Sequence, residues 1–176
     1  SFPTRRSSDL GRTPSKDAIV VERMTKAGTI CIGKTHLSEL AFSGLGINPS
    51  SGTPPNKYGN HLAPGGSSSG AAASVAQEIV PIGIGSDTGG SVRIPSAWND
   101  LVGLKTTYGF LPNEGVVPLC AGFDTAGPLC TCVEDAWLAT AIMAGEAPEL
   151  PDVKPLSQCR FLINETHLQD ERSEEH

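Results

Sequence analysis

Apolar residues recur at helical spacing over 15–26, where Ala18, Ile19 or Val21, Met24 and the following Ala27 share one face. Thr13 and Pro14 stand before the run as a start signal and Gly28 after it as a stop, which predicts a helix. The period then changes: TICIG at 29–33 is short, β-branched and ended by glycine, the pattern of a buried strand fed by that helix. From 43 to 66 Gly, Asn, Pro and Ser dominate, leaving too few apolar residues to bury a face, so a long loop is predicted, of a kind usually functional or disordered. SSGAAASVAQE at 68–78 is rich in small residues and predicts a helix whose backbone lies close to its neighbour. IVPIGIG at 79–85 reads as a second buried strand, with SDTGGS at its carboxyl end. Residues 92–101 are ambiguous, 102–107 are a candidate strand, and LPNEGVVPL is turn-rich without a period. Thr131 and Glu134 stand as S/T-x-x-E before Val133, Ala136, Trp137, Ala141 and Met143, predicting a capping box and a helix over 133–144 ended by Gly145. CRFLI at 159–163 reads as a last strand, and no internal repeat is visible.

Composition narrows the class. The chain has 176 residues, 38% hydrophobic and 18% charged, with 20 Gly and 14 Pro, which suits a loop-rich globular α/β domain and excludes collagen and disorder. Net charge is -6 and aromatics are 5%, with no basic stripe, so no direct nucleic-acid ligand is predicted and the acidic surface points to small or neutral substrates. No apolar stretch reaches the roughly eighteen residues of a bilayer span. Five cysteines at irregular spacing imply reduced thiols in a cytoplasm-like compartment. Cys130 and Cys132 form a C-x-C with no second cluster to complete four ligands, and no metal or other cofactor is expected.

Both ends depart from these patterns. SFPTRRSSDL at 1–10 and RSEEH at 172–176 each match the translation of a sequencing adapter; AGATCGGAAGAGCAC read in frame encodes Arg172 to His176. The expectation is therefore two adapter-derived tails around a partial domain over 11–171, cut from a longer protein.

The candidate chemistry lies in two Gly-Ser loops, GGSSSG at 65–70 and DTGGS at 87–91, which flank one helix-strand unit and are brought together when the chain folds back. Gly89 and Gly90 permit consecutive backbone N–H groups to face one point, as in an oxyanion hole or an anion nest. Neither loop carries the Lys and Ser/Thr of a phosphate loop. Gly83, Gly85 and Gly89 miss the dinucleotide fingerprint by one residue, and Ser91 does not sit in a G-x-S-x-G elbow.

PGGSSSGAAASVA, then PIGIGSDTGGSVRIPSAWNDLVGLKTTYG, then FDTAGPL with a VEDA helix, closely resemble the amidase signature family from about Ala27 to Gly145. The resemblance implies an α/β/α fold with a large mixed central sheet, of which this chain supplies the central third, truncated at both ends. It also implies amide C–N hydrolysis through a seryl acyl-enzyme, run by a Ser-Ser-Lys triad. Carried over residue by residue, Ser91 is the nucleophile and Ser67 the bridging serine, which the family holds after a cis peptide. Thr88, Gly89, Gly90 and Ser91 map onto the oxyanion hole. A serine hydroxyl needs a base, a lysine serves only when kept neutral, and a hydroxyl between them both accepts and donates. Asp87 and Arg93 flank the nucleophile and are expected to hold the loop by hydrogen bonds.

The family's lysine belongs to a segment before residue 11. Lys34, in GKTHLSELAFSGLG, and Lys105, in GLKTT, match other family segments and receive no catalytic role. The 176-residue chain alone is therefore expected to be inactive and, with exposed strand edges, poorly soluble. Many family members carry Arg where this chain has Thr131. His36 and His61 lie in or beside loops without a convergent partner. Implied partners are a small-molecule amide, with no membrane, and either a homodimer or, if the chain comes from the A subunit of a tRNA-dependent amidotransferase, a B subunit. A noncatalytic anion-binding module using the same glycine nests is the alternative of another class.

Overall fold

A computed structural model describes residues 14–161. In chain order it contains α1 (Ile19–Lys26), α2 (Ser69–Ala76), β1 (Ile82–Asp87), α3 (Arg93–Trp98), β2 (Val102–Gly103), β3 (Thr125–Cys130) and α4 (Val133–Ala144). The three strands form an antiparallel sheet in the order β1-β3-β2. No helix among the described residues is long and apolar enough to cross a membrane. The adapter-like tails at 1–10 and 172–176 lie outside the described residues.

The IGIG repeat of β1 explains how the layers stack. Successive side chains of a strand point to opposite faces, and Ile82 and Ile84 pack with α1 and α4 around Val20, Met24, Ala126, Ala139 and Met143. On the other face Gly83 and Gly85 let α2 come close: a Cβ at Gly83 would lie 2.9 Å from the Ala71 carbonyl oxygen, and one at Gly85 2.5 Å from Ser68 Oγ. The small residues of α2 complete this approach, and Ala71 and Ala72 share a second buried cluster with Val92 and Leu129. β3, buried along its whole length, serves both cores because Ala126 and Leu129 fall on opposite faces.

The outer helix pair is joined end to end. Arg23 of α1 donates to the Met143 carbonyl at 2.7 Å, satisfying an orphan acceptor in the last turn of α4, and Gly145 ends that helix in the left-handed conformation.

Several expectations are corrected. α1 begins at Ile19, four residues later than the predicted run, and it buries Ala18, Val20 and Met24 while Ala27 is exposed. TICIG is not a strand: 29–33 is irregular, with Ile30 86% and Ile32 66% exposed. It runs along a groove of about 560 Å³ lined also by Met24, Ala71, Ile82 and Ile84. This segment pairs with no strand among the described residues, and β-branched composition cannot make a strand without a partner for its N–H and C=O groups. The αβ unit therefore does not form. Residues 102–107 give only the two-residue β2, whereas β3 goes unannounced by its composition because Gly127 and Pro128 are strand breakers. The capping box is not formed either: the N-cap is Cys132, one residue beyond Thr131, with no side-chain cap bond. Residues 159–161 are exposed and irregular after a short 3-10 turn at Leu156–Gln158, and 162–163 lie outside the described residues.

Candidate active site

The two Gly-Ser loops meet. The Ser68 N–H donates to the Ser91 carbonyl at 3.1 Å, and Ser68 Oγ lies 3.2 Å from the Ser86 N–H that donates to it. Ser67, 2% exposed, follows a cis peptide bond from Gly66. Its carbonyl accepts the Ser38 N–H at 3.1 Å, while the Gly65 and Gly66 N–H groups donate to Leu45 and Gly44 at 3.1 and 2.7 Å. The long loop thus earns its composition: its backbone seats the serine loop.

Gly66 is required by this seating. A Cβ there would lie 2.6 Å from the Gly46 nitrogen, from Ser38 Oγ and from the Ser43 carbonyl oxygen, two of them backbone atoms that cannot step aside. Gly66→Ala is expected to cost at least about 2 kcal/mol of stability, read by thermal unfolding of the full-length protein, with an unchanged midpoint as the contrary result. Asn99, fully buried, ties the same loop to α3: its Nδ2 donates to Pro64 and Pro95 at 2.7 and 2.8 Å, and its Oδ1 accepts the Lys57 N–H at 2.8 Å.

Asp87 organises the second loop. Fully buried, it accepts from the N–H of Gly90 at 2.8 Å, of Val92 at 3.1 Å and of Arg93 at 3.3 Å, and from Arg93 Nε and Nη2 at 3.0 and 2.9 Å. Burial pushes its carboxyl up, but the guanidinium and the three backbone donors together outweigh burial and hold it below the usual range. Asp87 thus ties the Arg93 side chain to the backbone of residues 90–93.

That clamp changes the donor set. Gly90 has φ +127°, a conformation that favours glycine, but its N–H is spent on Asp87 and is no longer free for an oxyanion. The N–H groups of Gly89 and Ser91 meet no acceptor among the described residues. Gly89 needs no glycine for steric reasons, since a Cβ there meets nothing within 4 Å; the space above it is open. Thr88 is fixed through its side chain, whose hydroxyl donates to Asp124. Asp124 and Ser38, like Asn99, stand in the sequence motifs without a role of their own, because only folding brings them to these loops.

Other sequence candidates stand apart. Lys57 pairs with Asp100 at 3.0 Å and Lys105 donates to the Thr106 carbonyl at 2.8 Å; no lysine among the described residues is hydrogen-bonded to Ser67 or Ser91. Lys34 and His61 are exposed, and His36 faces Ser51 Oγ at 3.4 Å. The Cys130 thiol is pushed up to about 12, chiefly by burial. Among the described residues no three His, Cys, Asp or Glu side chains group as metal ligands.

Comparison with known proteins agrees with this architecture. The chain is 45% identical over 139 residues to a 2-amino-5-chloromuconic acid deaminase of Comamonas testosteroni, covering 78% of this chain and 30% of that protein. It is 41% identical over 133 residues to the A subunit of the glutamyl-tRNA(Gln) amidotransferase of Oenococcus oeni, covering 76% of this chain and 27% of that one. Among solved structures it superposes on an amidase with a TM-score of 0.76 at 40% identity, covering 81% of this chain and 33% of the other. The A subunit of the glutamyl-tRNA(Gln) amidotransferase of Thermotoga maritima gives 0.73 at 34%, with 81% and 32% covered. The chain spans about 30% of the length of the first of these relatives. With the model of the amidase family matching residues 4–175, the chain belongs to the amidase family.

Proposed function

We propose that the full-length protein containing this chain hydrolyses an amide C–N bond through a seryl acyl-enzyme, with Ser91 as nucleophile and Ser67 as the bridging hydroxyl. The observation that carries this reading is the joining of the two loops by the Ser68 N–H to Ser91 carbonyl bond, beside the uncommitted N–H groups of Gly89 and Ser91. Ser91 Oγ attacks the amide carbonyl while its proton passes through Ser67 to a neutral lysine contributed from outside the described residues. The Gly89 and Ser91 N–H groups, with Thr88, receive the negative oxygen of the tetrahedral intermediate. Collapse breaks the C–N bond, and the amine leaves with the proton returned from the lysine. Water then cleaves the acyl ester to the carboxylic acid and restores Ser91. On this reading the 176-residue chain alone does not turn over amides.

Incubation of the full-length protein with an alkyl fluorophosphonate tests it: one phosphonyl adduct on the peptide carrying Ser91 is expected. Phosphate binding with no adduct would overturn the hydrolase and favour a noncatalytic anion-binding module. The relatives from glutamyl-tRNA(Gln) amidotransferases support a second reading, in which the amide is that of glutamine and the ammonia serves a partner protein. Glutaminase activity together with co-purification of a B subunit distinguishes it from a free-standing amidase.

A further inference from the structure

We propose that Asp124 is a positioning residue: through the Thr88 hydroxyl it sets the orientation of the peptide that presents the Gly89 N–H. The inference rests on the hydrolase reading above and assigns this peptide its second anchor. β3 begins at Thr125, opposite Asp87 in the ladder with β1, so Asp124 falls beside Thr88 across 36 residues of sequence. Its carboxylate is 5% exposed and accepts the Thr88 hydroxyl, the Leu119 N–H at 2.8 Å and the Cys120 N–H at 3.0 Å. No cation is among its hydrogen-bond partners in the described residues. A buried carboxylate held by neutral donors alone is costly to keep, and an uncharged acceptor would suffice to close the 119–124 turn. What the charge adds is a strong acceptor for the Thr88 hydroxyl.

That hydroxyl matters because of what surrounds Gly89. Gly89 is exposed, and a Cβ on it would touch nothing, so the residue has no side-chain packing to hold it in place. The loop is restrained on either side instead. Asp87 holds the Gly90 N–H after Gly89, and Asp124 holds the β-branched Thr88 side chain before it. Two carboxylates on different elements thus bracket Gly89, whose N–H meets no acceptor among the described residues and whose face is open. Because Asp124 is itself fixed by Leu119 and Cys120, the donor is aimed before substrate arrives, which is how such donors lower a barrier.

The test uses the full-length protein and an alkyl fluorophosphonate, comparing the limiting rate of Ser91 phosphonylation with the apparent binding constant of the reagent. Thr88→Val removes the hydroxyl at constant shape; the limiting rate is expected to fall about tenfold or more, with binding within about twofold and the protein still folded at the assay temperature. Thr88→Ser restores the rate. Asp124→Asn slows it as well, and the Thr88→Val, Asp124→Asn double variant is no slower than the slower single, as for two members of one contact. Normal phosphonylation in Thr88→Val, a rate loss accounted for by unfolding at the assay temperature, no rescue by Ser, or multiplying losses would each overturn the inference. If the wild-type protein forms no Ser91 adduct, the hydrolase reading itself fails; if it labels normally and Thr88→Val is silent, only the role of Asp124 falls.

Discussion

Ser91→Ala in the full-length protein is expected to lower amide turnover by roughly 10⁴-fold or more while leaving the fold intact. The size follows from the proposed mechanism: without the hydroxyl no acyl-enzyme would form, leaving only the residual effect of binding and of the proposed oxyanion donors. The fold survives because Ser91 is bonded to the neighbouring serine loop through its backbone carbonyl, which alanine keeps. Steady-state hydrolysis of an activated anilide, with an unfolding curve of the same preparation, checks both halves. Turnover within tenfold of wild type would remove Ser91 from the mechanism. Ser67→Ala is expected to lose less, about 10²- to 10⁴-fold, since on the same proposal it deletes a proton relay and leaves the nucleophile in place.

Asp87→Asn is expected to be the most destabilising single change at the site. Five donor hydrogens converge on its two oxygens, and an amide offers one acceptor oxygen and turns the other position into a donor facing donors. Breaking a buried pair on one side costs about 3 kcal/mol here, the low end of the usual range, because the Arg93 side chain is half exposed and stays hydrated when left alone. The pH dependence has a definite sign. The folded carboxyl titrates below its unfolded value near 4, so its contribution is complete above that value and is lost as the pH falls through the lower folded one. Wild-type unfolding midpoints should therefore fall on acidification from about pH 5 to about pH 2 more steeply than those of Asp87→Asn, a difference measured by calorimetry across that interval. Parallel curves would show that the Asp87 charge is not what ties the loop together. With its oxygen kept at the Oδ2 position, which takes three of the five donors, the amide frees the Gly90 N–H, and turnover then reports whether that donor is better used on residue 87 than on substrate.

Residues whose structure depends on near neighbours were legible in the sequence. The small-residue run became α2, the apolar run before Gly145 became α4, and the Gly-Ser and Pro-rich stretch at 43–66 became a loop. The Gly-Ser motifs form loops for the same reason: GG before Ser67 and GG before Ser91 are local conditions on close approach and on φ. What misled was local preference acting without a partner. Ile30 and Ile32 have the composition of a strand and lie in solvent along an open groove, while Gly127 and Pro128, poor strand formers, sit in the middle strand of the sheet.

The sequence by itself determined the family, the two serine loops and the alternation of Ile and Gly along β1, since each is written in residue type and spacing. The folded conformation of the loop and its distant contacts decided which donors are free. Gly90 and Gly89 are neighbours of identical type, yet one N–H is consumed by Asp87 and the other is open. Thr88 takes its anchor from Asp124, 36 residues away. The packing of β3 against β1 brings that distant acceptor to the Thr88 hydroxyl, whereas the Gly90 N–H is taken by a carboxylate three residues before it.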